Sequence, residues 1–424
     1  MAQTRREMLK GAAAVAAVTS FPRRARAQES TMQARTKIDP VLKQAVDATE
    51  VPGVVAMAAT DKGVLYEGAF GPRALEAGAP SMSLDTVFRI ASMTKAIATV
   101  AAMQLVEQGK LKLEEPVPAI DPALGSPQVL EGFEASGAPK LRPAKRPITL
   151  RHLLTHTAGF TYDIWSPDTV RYVKATGLPN RVTGKVVSLR TPLAFDPGDR
   201  WLYGINIEWT GRLIETVSGQ ALEDYFRDRI FGPLGMKDTT YVTSNEQRAR
   251  QARLHTRGAD GALAVQPLEP VPVKGEFWPA GGPLYSTARD YLVFLQMLLN
   301  GGSFNGTRLL KPETVALMNQ NHTGTTPCGV LKAELRNLSN DVDLFPGADI
   351  RWGLGYMLNL QAGPNGRSAG TVSWGGLFNT YYWLDPSKRV TGLIMTQILP
   401  FADARALKLY GQLERGVYDS LKAV

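Results

Sequence analysis

The sequence predicts an α/β protein of the α+β type, in which an antiparallel sheet built from both chain ends is flanked by helices and carries an inserted, mainly helical lobe. Three observations lead to this expectation. Runs rich in β-branched and aromatic residues surround turn residues near the start of the chain, and the same pattern returns near its end. Between them, apolar residues recur at helical spacing and glycines follow where helices should stop. Strands at both ends with helices between favour one sheet closed by the two termini.

Each pair of strands is expected to form a hairpin. The predicted strands cover residues 51–60, 64–70, 380–384 and 390–397. The first two flank Asp61-Lys62-Gly63 and follow a short helix over 39–48, whereas the last two flank Asp385-Pro386-Ser387-Lys388. A helical pattern over residues 402–421 then closes the chain.

The middle of the chain is predicted to be mainly helical. Its expected helices cover residues 95–108, 149–155, 208–217, 222–230 and 288–299. The first of them is apolar almost all round, which is the pattern of a helix buried on every side. We therefore expect a helical lobe over residues 86–299 and a sheet lobe made of residues 28–85 and 300–424.

The N-terminal 27 residues are expected to be an export signal. Thr4-Arg5-Arg6-Glu7-Met8-Leu9-Lys10 precedes an uncharged stretch over 11–22 and then Ala25-Arg26-Ala27, the order of a signal with a small-residue cleavage site. The paired arginines are typical of the twin-arginine route, so we expect a periplasmic or secreted protein. Much of the formal net charge of +9 lies in this segment.

The rest of the composition excludes several classes of function. No lysine or arginine stripe interleaved with aromatic residues follows the signal, so nucleic acid is not an expected partner. No apolar run after residue 22 is long enough to span a bilayer, so no stable membrane anchor is expected after signal cleavage. Cys328 is the single cysteine, and Leu153 follows His152 where a zinc-protease helix needs glutamate. We expect neither a metal nor another cofactor, and the oligomeric state is left open.

Ser92 and Lys95 are the first candidates for chemistry. They stand one helical turn apart where the strand-like residues 86–90 lead into the apolar helix, so the amine can reach the hydroxyl. Burial would lower the pKa of the lysine and make it a base, while the helix N-terminus would favour an oxyanion. The alternative is that Ser92 only caps the helix and Lys95 extends to water. These residues alone leave both interpretations open.

Five segments make the sequence similar to the serine β-lactamase and penicillin-binding fold family, and specifically to its esterase branch, the family VIII carboxylesterases that resemble class C β-lactamases. They are residues 88–95 (FRIASMTK), 148–159 (ITLRHLLTHTAG), 201–205 (WLYGI), 281–291 (GGPLYSTARDY) and 374–376 (WGG). The resemblance covers nearly the whole chain after the signal. It implies a serine hydrolase with Ser92 as nucleophile and Lys95 as its proton-transfer partner.

Further site residues are implied by the same resemblance. Tyr203 matches the tyrosine that opens the second family motif and is expected to shuttle protons with a depressed pKa. Trp374, Gly375 and Gly376 match the third motif, which relatives carry on an edge strand, and Leu377 would join Ser92 in donating backbone N–H groups to the oxyanion.

Two departures from the family pattern bear on the substrate. Trp374 stands where lactamases have a cation, and Ile205 stands where they have an asparagine, with Asn206 next in line. A pocket lined by Trp374, Gly375, Gly376 and Ile205 favours neutral, apolar groups over a carboxylate-bearing lactam. We expect a carboxylesterase for short-chain neutral esters. The alternatives are a β-lactamase, a D-alanyl carboxypeptidase or transpeptidase, an acyltransferase of the same fold, or a non-catalytic cell-wall-binding protein.

Other residues are candidates for weaker or structural roles. Residues 366–370 (GRSAG) match the nucleophile-elbow pattern, but they follow a turn and lead into a strand-like run, which favours a loop for Ser368. His152 and His156 are expected to be structural. Gly281 and Gly282 are expected to allow close approach of backbone, and Ser286 to cap the helix that follows.

Overall fold

The structure is a computed structural model that describes residues 29–117 and 124–422. The expected export signal lies outside these residues. The helices are α1 (29–47), α2 (Thr94–Glu107), α3 (Leu150–Leu154), α4 (Pro167–Thr176), α5 (Asn206–Ser218), α6 (Leu222–Phe226), α7 (Gly232–Leu234), α8 (Asn245–Ala249), α9 (Ala288–Leu299), α10 (Pro312–Met318) and α11 (Ala404–Leu421). The strands are β1 (Val54–Thr60), β2 (Gly63–Phe70), β3 (Val87–Arg89), β4 (Gln128–Phe133), β5 (Pro139–Pro143), β6 (His255–Arg257), β7 (Leu263–Val265), β8 (Tyr285–Thr287), β9 (Ser303–Phe304), β10 (Thr307–Arg308), β11 (Ile350–Trp352), β12 (Met357–Asn359), β13 (Val372–Gly376), β14 (Thr380–Asp385), β15 (Val390–Met395) and β16 (Ile398–Leu399).

A seven-stranded antiparallel sheet joins the two ends of the chain. Its strand order is β11-β12-β13-β14-β15-β1-β2. β1 pairs with β15 over six residue pairs, from Val55 opposite Met395 to Thr60 opposite Val390. Both expected hairpins form, β1 with β2 and β14 with β15. The predicted fold class, an antiparallel sheet built from both ends and flanked by helices, is confirmed.

Helices cover both faces of this sheet. Tyr382 and Trp383 are neighbours on β14, so their side chains point to opposite faces. The Tyr382 ring lies 5.5 Å from Tyr291 of α9, whereas the Trp383 ring lies 5.8 Å from Tyr410 of α11. Trp374 of β13 is directly opposite Tyr382 and therefore belongs to the α9 face.

The helix after Ser92 lies at the centre of the molecule, as its apolar pattern predicts. Every residue of α2 from Thr94 to Leu105 is buried. β3 and β8 pair with each other, and the chain enters α2 shortly after β3 and α9 directly after β8. α2 also packs against α5, which begins three residues after Tyr203.

Several boundaries differ from the expected ones. α1 begins at residue 29 rather than 39, because Ala34 and Ile38 are also buried in the core. The helix predicted over 222–230 changes into a π-helical turn at Arg227–Phe231. Thr287, not Ser286, caps α9, since its hydroxyl accepts the N–H of Asp290 while the Ser286 hydroxyl bonds to Thr239.

A helix that spans a bilayer needs about 20 consecutive, mostly apolar residues. Among residues 29–117 and 124–422, no helix combines the required length with sufficient apolar character.

Candidate active site

Ser92 and Lys95 are held side by side at the start of α2. Ser92 lies in the 3-10 turn Ala91–Met93, directly before the helix, and is partly exposed. The Lys95 amine donates to the Ser92 hydroxyl with Nζ 3.2 Å from Oγ, as the spacing predicted. Lys95 is only 1% exposed, and within the described chain Ser92 makes no capping bond to α2. The alternative of a capping serine and a solvated lysine is therefore wrong.

The amine of Lys95 is in an unusual environment for a cation. It donates to the carbonyl oxygen of Gly281 at 2.6 Å and lies 5.0 and 5.2 Å from the ring centroids of Tyr203 and Tyr162. Burial lowers the pKa of Lys95 to about 8. The Glu208 carboxylate opposes this shift by attracting the ammonium form, whereas the positive charge of Arg181 adds to it. A neutral amine is thus accessible near neutral pH, and it can act as a base.

Tyr203 completes a triad of polar groups with Ser92 and Lys95. Its hydroxyl accepts the indole N–H of Trp374 at 3.0 Å and lies near enough to Ser92 for the two hydroxyls to influence each other. The expectation of a depressed pKa is wrong, because burial raises the pKa of Tyr203 despite the opposing influence of Ser92 and Trp374. Tyr203 therefore stays a neutral phenol, which is able to relay or donate a proton but is a poor base.

Aromatic rings enclose Tyr203 on several sides. The ring centroids that lie between 4.5 and 6.1 Å from its own belong to His156, Trp374, Tyr162, Trp165 and Trp352. These rings fix the orientation of the phenol and exclude water from it. The site is consequently of low polarity, which strengthens the electrostatic interactions within it.

His156 and Asn206 support Tyr203 from inside the protein. His156 is fully buried, and its Nδ1 accepts the N–H of Gly204 at 3.3 Å and lies 2.9 Å from Asn206 Nδ2. Burial, and secondly the nearby Lys95, hold the pKa of His156 well below its usual value, so the ring is neutral. His156 and Asn206 therefore interact with each other and with the backbone of the protein. Ile205, the residue before Asn206, is buried with 3% exposure.

The segment of β13 that contains residues 374–376 reaches the Ser92 turn. β12 pairs with β13 only at Val372 and Ser373, so beyond them β13 has β14 alone as its partner. An ideal Cβ on Gly376 would lie 2.2 Å from the carbonyl oxygen of Ile90, which shows how closely the two segments approach. Leu377 packs against a small apolar cluster that contains Ala91, the residue before Ser92. This places the two candidate oxyanion donors, Ser92 and Leu377, in adjacent segments.

The backbone before Ser92 is strained. Ala91 has φ of 44°, a conformation that costs a non-glycine residue on the order of 1–3 kcal/mol. Asn379, three residues after Gly376, has φ of 60°, and its amide donates to the carbonyl oxygens of Ile398 and Pro400. Positive φ angles thus occur both directly before Ser92 and shortly after the Gly375-Gly376 pair.

Trp374 has a different environment from the one expected of a substrate contact. It is 2% exposed, and its indole N–H is used to hold Tyr203. Its ring also borders a cavity of about 250 Å³ whose wall includes Trp201, Leu331 and Val342. Gly375 packs against the ring of Tyr381, where a Cβ would lie 2.6 Å from the nearest ring carbon. The expected apolar character of this side of the site agrees with these contacts.

Two neighbours of Lys95 were not singled out from the sequence. Glu208 is 4% exposed, and its Oε1 accepts the hydroxyl of Tyr162 at 2.8 Å. Glu208 could have been found from the sequence, because an acidic residue between Ile207 and Trp209 is unusual in the apolar first turn of a helix. Tyr162 gave no such signal, since its position under Lys95 depends on how the loop after α3 folds back.

The other candidate residues lie outside this constellation. Ser368 is in an irregular loop, and its N–H donates to Asp385, so the nucleophile-elbow geometry of strand, turn and helix is absent there. His152 belongs to the capping box of α3. Among the residues that the structure describes, no three His, Cys, Asp or Glu side chains are grouped closely enough to hold a metal ion.

The chain belongs to the beta-lactamase family, whose profile matches residues 38–415. Monacolin J acid methylbutanoyltransferase from Aspergillus terreus is 32% identical over 417 residues, which cover 92% of this chain and 98% of that protein. Lovastatin esterase from Penicillium rubens is 32% identical over 375 residues, covering 86% and 93% of the two chains. With this fold and these relatives, the protein is an enzyme of the serine hydrolase class.

Solved structures support the same assignment. Unliganded simvastatin synthase from Aspergillus terreus superimposes with a TM-score of 0.79 at 30% identity, over 92% of this chain and 99% of that one. EstCE1, described as a hydrolase with promiscuous acyltransferase activity, has a TM-score of 0.71 at 24% identity, over 92% and 99%. The second likeness is one of fold alone.

Proposed function

We propose that this enzyme cleaves small, neutral carboxylic esters by transferring their acyl group to Ser92 and then releasing it. The observation that carries the proposal is the 3.2 Å contact between Lys95 Nζ and Ser92 Oγ, made by a buried amine whose pKa is about 8. A buried lysine of this kind is a competent base for a serine hydroxyl.

The proposed reaction has two halves. In the first, neutral Lys95 takes the proton of Ser92 while Oγ bonds to the ester carbonyl carbon, and the carbonyl π electrons move onto the oxygen. As the oxyanion collapses, the alkoxide leaves with a proton relayed from Lys95 through Tyr203. In the second, an acceptor hydroxyl attacks the Ser92 ester and its proton returns along the same groups. The backbone N–H groups of Ser92 and Leu377 would stabilise both oxyanions.

The surroundings of Ser92 favour neutral substrates. Trp374 and Ile205 are apolar and buried, and neither supplies a charge or an amide for the carboxylate and acylamino groups of a lactam. Ester hydrolysis is therefore preferred over β-lactam or D-alanyl peptide cleavage.

The relatives favour a second candidate, acyl transfer to an alcohol instead of water. One of them is named for methylbutanoyl transfer and another for esterase activity, so both outcomes occur at about 32% identity. The aromatic enclosure of Tyr203 supports this candidate, since a site that excludes water leaves the acyl group for a bound hydroxyl.

The test compares parent, Ser92→Ala and Ser368→Ala proteins on 4-nitrophenyl butyrate. Ser92→Ala should lower kcat/KM by at least about 10³-fold, and Ser368→Ala should change it little. Intact-protein mass spectrometry should show a butyryl adduct on the parent that is missing from Ser92→Ala. Full activity in Ser92→Ala would refute the proposal. Product analysis with added alcohols decides between the two acceptors. An ester product indicates transfer to the alcohol, and free acid indicates transfer to water.

A further inference from the structure

Glu208 is a buried carboxylate with an unused oxygen beside the candidate site. It lies in the first turn of α5 with 4% exposure. Oε1 accepts the Tyr162 hydroxyl at 2.8 Å, whereas Oε2 has no hydrogen-bond donor among the described residues. A buried ionised oxygen without a donor costs free energy, so an interaction with a nearby positive charge is expected to offset that cost.

The unused oxygen points to the residue that holds Lys95. An ideal Cβ on Gly281 would lie 2.4 Å from Oε2 of Glu208, so only glycine allows the carboxylate to pack here. The carbonyl of the same Gly281 accepts the Lys95 amine at 2.6 Å. Gly281 therefore lies between the carboxylate and the amine, and the Glu208 charge attracts the ammonium form of Lys95.

The other groups that face the Lys95 amine do not replace this charge. Tyr203 and Tyr162 are neutral, because burial raises the pKa of each phenol, and His156 is neutral because burial lowers its own. Arg181 opposes a positive Lys95, but its side chain is 31% exposed and pairs with Asp163 at 3.4 Å. Glu208 is thus the carboxylate whose charge favours the Lys95 ammonium in this buried pocket.

We propose that Glu208, oriented by Tyr162, is a positioning residue that supplies the counter-charge for the Lys95 ammonium formed when Ser92 loses its proton. The proposal rests on the proposed function. In the step concerned, the Ser92 O–H bond breaks and a Lys95 N–H bond forms, so a positive charge appears on Nζ as a negative charge moves to the substrate oxygen. Glu208 exchanges no proton in this step and acts only through its field on Lys95.

Glu208→Gln is the decisive variant, since it keeps the shape and removes the charge. Without the carboxylate, Lys95 should release its proton at lower pH and be a weaker base. The acidic limb of the kcat/KM profile should therefore move down by about one pH unit or more, while the plateau rate falls by about tenfold. Glu215→Gln is the matched control, because Glu215 is on the same helix about 10 Å further along and bonds to Arg212 and Leu222 instead.

A second readout separates this inference from the ester chemistry. A fluorophosphonate probe labels Ser92 by the same deprotonation without an ester substrate, and its rate should show the same downward shift of the limb in Glu208→Gln. Glu208→Asp, which restores the charge, should recover most of the parent profile. Tyr162→Phe should lower the plateau rate and move the limb less than Glu208→Gln does, since the carboxylate charge remains.

Two results would overturn the proposal. One is a folded Glu208→Gln whose acidic limb stays at the parent pH in both assays. The other, if Glu208→Gln does not fold, is a folded Tyr162→Phe with the parent pH profile and the parent plateau rate. Absence of probe labelling in the parent, or equal labelling in Ser92→Ala, would instead refute the proposed function.

Discussion

At the scale of single residues, the site depends on where charge is allowed. Lys95 is buried and gives up its proton near pH 8, while Tyr203 is buried and keeps its proton, so the same desolvation gives the two residues opposite roles. In the proposed mechanism, the amine is the base and the phenol is the relay. The sequence predicted both residues and the lowered pKa of Lys95. For Tyr203 it predicted a lowered pKa, whereas burial raises it.

The first prediction concerns pH. Since the neutral form of Lys95 is the proposed base, kcat/KM should rise as pH increases through about 8 and level off above it. At pH 6 the value should be about 100-fold below the plateau, because only about one amine in a hundred is neutral there. Steady-state hydrolysis of 4-nitrophenyl butyrate from pH 6 to 10 measures it, with circular dichroism showing that the protein stays folded. A flat profile would contradict the assignment of Lys95.

At the scale of elements, the end of strand β13 meets the turn that leads into helix α2. β13 loses its β12 partner after Ser373, and the released segment packs against the turn before Ser92. That turn is strained at Ala91, and strain of this kind persists only where surrounding contacts enforce it. Gly376 is therefore explained by the close approach of the Ile90 backbone and Gly375 by the ring of Tyr381, so both positions need the absence of a side chain more than any flexibility.

The second prediction is that Gly376→Ala damages activity more than stability. Its Cβ would lie 2.2 Å from the Ile90 carbonyl and 2.4 Å from the Thr380 hydroxyl, so β13 must move away from the Ser92 turn. Losing one oxyanion donor should lower kcat by about 10² to 10³. Gly329→Ala is the control, because a Cβ there meets no atom within 4 Å. Equal kcat in the two variants would show that Leu377 takes no part.

At the scale of the whole molecule, the two chain ends build the frame that supports the site. β1 pairs with β15, and Ile38 of α1 packs beside Gly416 of α11. Behind β13, Arg367 and Glu414 form an ion pair at 2.5 Å in which both side chains are 1% exposed, and Arg367 also donates to Ser373. This pair ties the last helix to the strand that ends at the site.

The third prediction is that Glu414→Ala strongly destabilises the protein. It would leave the buried Arg367 charge without its carboxylate, which costs about 3–5 kcal/mol of unfolding free energy. Denaturant titration followed by circular dichroism measures the loss. Arg227→Ala, which removes an exposed ion-paired arginine, is the control and should change the midpoint little. Recovery of stability in Arg367→Met with Glu414→Leu would support this account, and an unchanged midpoint in Glu414→Ala would refute it.

The linear sequence by itself determined a large part of the fold and of the candidate site. Apolar periodicity and turn residues placed both hairpins, the buried helix and the closing helix, because these depend on local patterning and on which face must leave water. The three-residue spacing placed Lys95 next to Ser92 for the same reason, since one helical turn is a local distance.

The remainder was decided by folding in three dimensions. Tyr162, Glu208 and Gly281 lie far from Lys95 along the chain and reach it only because α3, α5 and the loop before β8 converge on α2. The burial that raises the pKa of Tyr203 comes from five rings scattered between residues 156 and 374. Desolvation is a property of the packed environment as a whole, so no spacing of residues along a chain specifies it.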